Sequence, residues 1–136
     1  MELFVKITTR WQKDLTFVGT NEKNQSITMD GEGNAPSPMQ LILMGVGGCS
    51  SIDIVLILKK ARQNIADCIC QIEAERAETD PKVFTKIHAH YQIIGKELKV
   101  NQVERAVKLS MEKYCSASIM LSSSVDITHS FEVIEE

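Results

Sequence analysis

The sequence predicts an α+β protein of order βββ-α-ββ-α-β, with largely antiparallel sheets around central helices. Three observations carry this. Short segments near both ends and in the middle alternate apolar and polar residues, the mark of half-buried strands. One long segment, from Pro38 to about Arg62, is apolar almost all round. A third, residues 101–114, repeats its apolar side chains at helical spacing. Strands in runs, separated by two helices, give the α+β class rather than alternating βαβ units. The 136 residues, 43% of them apolar and 24% charged, suit a single domain over 1–136 that can bury a core.

Residues 2–9, "ELFVKITT", place Leu3, Val5 and Ile7 on one face of a first strand. Residues 14–20 and 26–30 read as two more, and the polar turn "NEKNQ" between them makes a hairpin. The loop "GEGNAPSP" leads to a helix, with Ser37 as its cap and Pro38 in its first position. Lys59 and Lys60 suit the helix C-terminus. Residues 67–76 and 83–93 form a second hairpin around "ETDPK", with Phe84, Ile87, Tyr91 and Ile93 toward the apolar side. The amphipathic helix 101–114 is expected to be capped by Asn101, with Glu104 completing a capping box. A short apolar turn, 116–121, and a final strand, 125–135, close the chain.

A net charge of −3 without a dense basic cluster argues against a nucleic-acid or acidic-membrane partner. Scarce aromatics argue against base stacking. Residues 39–58 are long and apolar enough to span a bilayer. Their centre, however, holds two glycines, two serines and Asp53, and an aspartate at mid-bilayer costs about 2.5–3.5 kcal/mol. A buried core helix is the expectation, and a helix apolar all round needs cover on every side. One small sheet does not supply it, so a dimer is expected, its sheets enclosing the helices of both copies. "MELFVKITTRW" lacks the basic start and apolar core of a secretory signal. A cytoplasmic location is expected, with Cys49, Cys68, Cys70 and Cys115 as reduced thiols.

Cys49 stands in "GVGGCSSID", directly after Gly47 and Gly48. Glycine costs about 1 kcal/mol relative to alanine inside a helix, so a kink or break is expected here. Were the helix to restart near Gly48, Cys49 and Ser50 would lie in its first turn, among free N–H groups that favour a thiolate. The other reading keeps Cys49 as a small apolar core residue, with the glycines permitting close helix contact. Cys115 follows the amphipathic helix, 66 residues beyond Cys49. Two cysteines at helix discontinuities suggest an attacking and a resolving thiol, with burial as the alternative for each.

Cys68 and Cys70 share one face of a strand, as do His88 and His90, and His129 lies in the last strand. No CxxC or HxxxH spacing occurs, so no metal site is expected. There is no G-x-S-x-G, P-loop or G-x-G-x-x-G, and "GVGGC" lacks the Lys-Ser/Thr of a phosphate loop.

"APSPMQLILMGVGGCSSID" and "KYCSASIMLSSSVDITHSFEV", in this order and spacing, resemble the OsmC/Ohr superfamily of thiol-dependent hydroperoxide reductases, most closely its YhfA-like subgroup. The resemblance covers most of the chain. It implies the OsmC-like fold and an intertwined homodimer with active sites at the subunit interface. It further implies Cys49 as the peroxidatic and Cys115 as the resolving cysteine, in a pocket that includes Met39, Gly48 and Ser50. The implied substrate is a small organic hydroperoxide. No cofactor is implied beyond a dithiol reductant such as a lipoyl group or thioredoxin.

One departure stands out. The family pattern carries a glutamate after the proline that opens the helix, where it helps an arginine that activates the cysteine. Here the segment reads Ser37-Pro38-Met39-Gln40-Leu41, and a thioether cannot hold an arginine by a charge-assisted hydrogen bond. Arg10 is the nearest N-terminal candidate for the arginine. Glu112, three residues before Cys115, and Arg62 are further charges that could serve, with solvated helix positions as the alternative. The leading expectation is a thiol peroxidase. Its rivals are a dithiol protein acting on another electrophile, and a non-catalytic dimer holding a small apolar ligand.

Overall fold

The computed structural model describes residues 3–136, so Glu2, the first residue of the expected N-terminal strand, lies outside it. The chain falls into two compact units, Met1–Met44 and Gly45–Glu136.

The first unit holds a three-stranded antiparallel sheet of β1 (Thr8–Lys13), β2 (Thr16–Thr20) and β3 (Ser26–Asp30), in that order. The hairpin of β2 and β3 is as expected. The first strand is not. It begins at Thr8, and Leu3, Phe4, Val5 and Ile7 precede it as exposed residues. Alternation alone did not reveal this, because pairing partners decide where a strand begins. The loop after β3 is tied back by Asp30, a buried carboxylate that accepts from Thr16 Oγ1 and from the N–H groups of Glu32 and Asn34. Those donors hold the Asp30 carboxyl below its usual range, the Thr16 hydroxyl most strongly.

The long helix α1 (Pro38–Lys60) opens as the sequence predicts. Gln40 N–H donates to Ser37 Oγ at 3.1 Å, and Ser37 N–H donates to Gln40 Oε1 at 3.0 Å. This reciprocal pair satisfies two otherwise orphaned groups.

The second unit is built on β4 (Asn64–Arg76), β5 (Phe84–Lys96) and β6 (Asp126–Glu135). β4 and β5 pair antiparallel, whereas β5 and β6 run parallel. The sheets are largely antiparallel, as expected, and this last pair is the exception. The helical segment between β5 and β6 carries the chain back, so the final strand enters in the direction of β5. Gly95 near the end of β5 permits a close approach, since a Cβ there would run into the carbonyl oxygen of Asn64.

α2 (Val100–Leu109), one π-helical turn (Ser110–Tyr114) and α3 (Ser116–Leu121) replace the single helix expected over 101–114 and the turn after it. Lys99 caps α2 and makes no side-chain capping bond, so the expected Asn101/Glu104 box does not form. Ile54 and Leu58 of α1, Ala89, Tyr91 and Ile93 of β5, Val103, Ala106 and Val107 of α2, and Met111 make the core. Alternate residues of β5 thus meet one stripe of each helix, which is what periods of 2 and 3.6 require.

α1 buries only the stripe Val46, Ser50, Ile54 and Leu58. Ile42, Met44, Ile52 and Leu56 are exposed, and the space around Gly45 and Gly48 is open. By length and composition α1 is the one helix among the described residues that could cross a membrane.

Candidate active site

Cys49 lies in the middle of α1, which runs unbroken through Gly45, Gly47 and Gly48. The expected break at Gly48 does not occur, so Cys49 and Ser50 are not in a first turn. The backbone N–H groups around Cys49 are committed to the helix. Burial of Val46, Ile54 and Leu58 offsets the conformational cost of the glycines. Gly47 brings β4 close: a Cβ there would sit 3.3 Å from Ile72 Cδ1 and 3.8 Å from Cys70 Sγ.

Cys115 is the cysteine at a helix start. The π-turn ends with Cys115 N–H donating to the Ser110 carbonyl at 2.6 Å, and Cys115 then serves as N-cap of α3. Its Sγ accepts from Ser118 N–H at 3.4 Å and from Ser118 Oγ at 3.1 Å. A cap accepting from the third residue beyond it is the ordinary N-terminal arrangement, here made by sulfur. Inserted π-turns re-aim the residue that follows them.

The two thiols are neighbours. Burial, above all, holds the Cys115 thiol above its ordinary value, and the adjacent Cys49 thiol pushes it the same way; the two Ser118 donors pull against both. Cys115 is fully buried and Cys49 half-buried, so Cys49 is the sulfur that an external molecule reaches more readily.

A polar seam surrounds the pair. Tyr91 Oη donates to Ser50 Oγ at 2.6 Å and lies 3.1 Å from Met111 Sδ. Ser50 Oγ donates to the Val46 carbonyl at 2.8 Å. Ser110 Oγ is 3.0 Å from the Ser50 carbonyl and 3.2 Å from Asp53 Oδ2. Cys70 borders the seam; burial pushes its thiol up to about 11, against the Tyr91 hydroxyl, which lowers it. Burial likewise raises Cys68, and the Ser51 hydroxyl opposes it. Both pack against the core, the bland reading of their spacing.

A groove of about 570 Å³ is lined by Asp53, Leu56, Ile57, Arg105, Leu109 and Tyr114 among others, and neither thiol lines it. Asp53 is one helical turn beyond Cys49, and Tyr114 immediately precedes Cys115.

The remaining expected site residues fall as follows. Ser50 is buried in the seam, and Gly48 lies exposed on α1. Glu112 is exposed on the π-turn and, among the described residues, hydrogen-bonds to neither thiol. Arg62 lies just past α1 with a positive φ of 59°. In the first unit, Arg10 is exposed on β1 and Met39 is half-buried in the first turn of α1. Five residues around the thiols escaped the sequence reading as site residues: Asp53, Tyr91, Ser110, Met111 and Ser118. Ser118 alone left a signal, a hydroxyl three positions after a cysteine that opens a helix. His88 is bonded to Thr128 and Ser130, and His90 to Ser130. Among the described residues no three His, Cys, Asp or Glu side chains gather as metal ligands would.

A half-buried thiol beside a buried one, in a unit of this topology, defines a class of dithiol-bearing α+β proteins. The chain belongs to the OsmC-like protein family, whose model matches residues 31–130. It is 48% identical to Protein YhfA of Escherichia coli K12 over 127 residues, covering 92% of this chain and 95% of that one. A hypothetical protein from Aquifex aeolicus has the same fold, with a TM-score of 0.90 and 33% identity over 100% of this chain and 99% of its own. An organic hydroperoxide resistance protein OsmC from Legionella pneumophila shares the fold at 20% identity. Its TM-score is 0.72, over 97% and 99% of the two chains.

Proposed function

We propose that the protein is a thiol-dependent peroxidase that reduces small organic hydroperoxides through Cys49 and Cys115. What supports it is the proximity of two thiols 66 residues apart in sequence, in a family with hydroperoxide resistance relatives. Cys49 thiolate attacks the terminal peroxide oxygen. The O–O bond breaks, the leaving alkoxide takes a proton as an alcohol, and Cys49 becomes a sulfenic acid. Cys115 sulfur then attacks Cys49 Sγ, water leaves, and a disulfide forms. A dithiol of the lipoyl or thioredoxin type returns the pair to thiols in a reducing cytoplasm.

The exposed apolar stripe of α1 supports a homodimer, since a monomer rarely leaves so long an apolar face in water. Two such faces packed together give the long helix the cover that one chain does not supply.

Titration of free thiols before and after one equivalent of cumene hydroperoxide tests the reading. Two of the four thiols should be lost, and none in Cys49→Ser. Cys115→Ser should leave a sulfenic acid that dimedone traps. Survival of all four thiols in excess hydroperoxide overturns the proposal.

Met39 favours a second reading. No carboxylate stands at that position to steady an activating arginine, and the thioether there is apolar. A dimer that holds a small apolar or electrophilic ligand fits that change, and unreactive thiols in the same titration would select it.

A further inference from the structure

The two sulfurs of the pair are held in unlike surroundings, and this bears on which of them a reductant attacks. Cys115 Sγ is fully buried and accepts two hydrogen bonds from one residue, Ser118, through its N–H and its hydroxyl. Ser118 is itself buried, and its hydroxyl lies 3.6 Å from Met111 Sδ, so it has no water to turn toward. Cys49 sits mid-helix, half-buried, with its neighbouring amides committed to α1.

We propose that Ser118 is a positioning residue that makes Cys115 the leaving group when the Cys49–Cys115 disulfide is reduced, and so directs the reductant to Cys49. The inference rests on the pairing of these thiols proposed above. A small dithiol, as thiolate, attacks Cys49 Sγ. A bond forms between the reductant sulfur and Cys49, the Cys49–Cys115 bond breaks, and the electron pair passes to Cys115 Sγ. The second reductant thiol then attacks the first reductant sulfur, closing the reductant disulfide and releasing Cys49 as thiolate; each released thiolate takes up a proton. The two reductant thiols supply both electrons.

Three facts favour this direction. The more exposed sulfur is the one an incoming thiol reaches. Burial keeps the Cys115 anion costly overall, and the two Ser118 donors reduce that cost, which quickens its departure. Hydrogen bonds from Ser118 strengthen as Cys115 acquires charge, opposing the burial that otherwise makes its thiolate costly.

The test uses the full chain oxidised with diamide, which joins adjacent thiols without peroxide chemistry, so failure of the peroxidase reading does not obscure the result. After diamide is removed, a brief pulse of 2-mercaptoethanol is quenched in acid, and peptide masses locate the mixed disulfide. The wild-type adduct should sit on Cys49. In Ser118→Ala, adduct should appear on both cysteines, and reduction by dithiothreitol should slow about fivefold. Ser118→Thr, which keeps the hydroxyl, should restore both. A wild-type adduct on Cys115, a Ser118→Ala rate equal to wild type, or failure of diamide to join Cys49 to Cys115 overturns the proposal. The wild-type adduct map decides the matter even if Ser118→Ala does not fold.

Discussion

The hydroxyl of Tyr91 donates to Ser50 Oγ at 2.6 Å, joining the middle strand of the second sheet to the residue that follows Cys49. Ser50 in turn donates to the Val46 carbonyl one turn earlier in α1. The orientation of the cysteine-bearing turn is therefore set partly from β5. Tyr91→Phe keeps the ring and removes the donor. The expected cost is about 1 kcal/mol, the net worth of one such bond, read as a lower urea midpoint at unchanged m-value. Iodoacetamide should also label Cys49 at an altered rate. A variant matching wild type in both measurements would contradict this role.

Alkaline pH should weaken the protein through its buried thiols. Burial pushes the Cys70 thiol up to about 11, above the ordinary range of a free thiol. Across that window the unfolded chain binds fewer protons than the folded one, so stability falls as pH rises through it. Cys68, Cys115 and Tyr91 are shifted upward as well and act in the same sense. Urea midpoints should drop between about pH 8 and about pH 10.5. Cys70→Ala should show a shallower drop; a slope equal to that of wild type would remove Cys70 from the account.

Gly95 should tolerate no side chain. A Cβ at this position meets the Asn64 carbonyl oxygen and Leu98 Cδ1, and the backbone oxygen cannot swing aside as a flexible side chain can. Gly95→Ala should destabilise by about 1–3 kcal/mol, measured by chemical denaturation. A cost within error of zero would mean that β4 and β5 separate freely here.

Sedimentation equilibrium should return twice the 15.2 kDa of one chain. Ile52, exposed on the stripe that also carries Gly48 and Leu56, is the position to charge. Ile52→Glu should shift the mass toward that of a single chain. A wild-type mass of one chain would sink the dimer.

Much of the architecture was legible in the residues. Ser26–Asp30 is a strand over the residues expected, and Ser37 and Pro38 start α1 as capping chemistry demands. The short apolar turn expected over 116–121 is a helix over those same residues. These features rest on local causes: alternation, turn residues and a side chain that satisfies a nearby amide. Tertiary structure overrode local preference elsewhere. The three glycines predicted a break in α1, and the buried stripe of Val46, Ile54 and Leu58 keeps the helix whole. Asn101 and Glu104 have the spacing of a capping box, yet α2 starts one residue earlier, behind Lys99.

By itself, then, the sequence determined the order of elements, the α+β class and the two cysteines worth examining, because periodicity, capping and residue chemistry act over a few positions. The folded chain decided which cysteine opens a helix, that the other stands mid-helix, and that Ser118, Tyr91 and Met111 surround them. It also decided that β6 runs parallel to β5. Bonds such as that between Tyr91 and Ser50 join residues far apart in the chain, and no local pattern encodes a meeting that depends on how whole helices dock against a sheet.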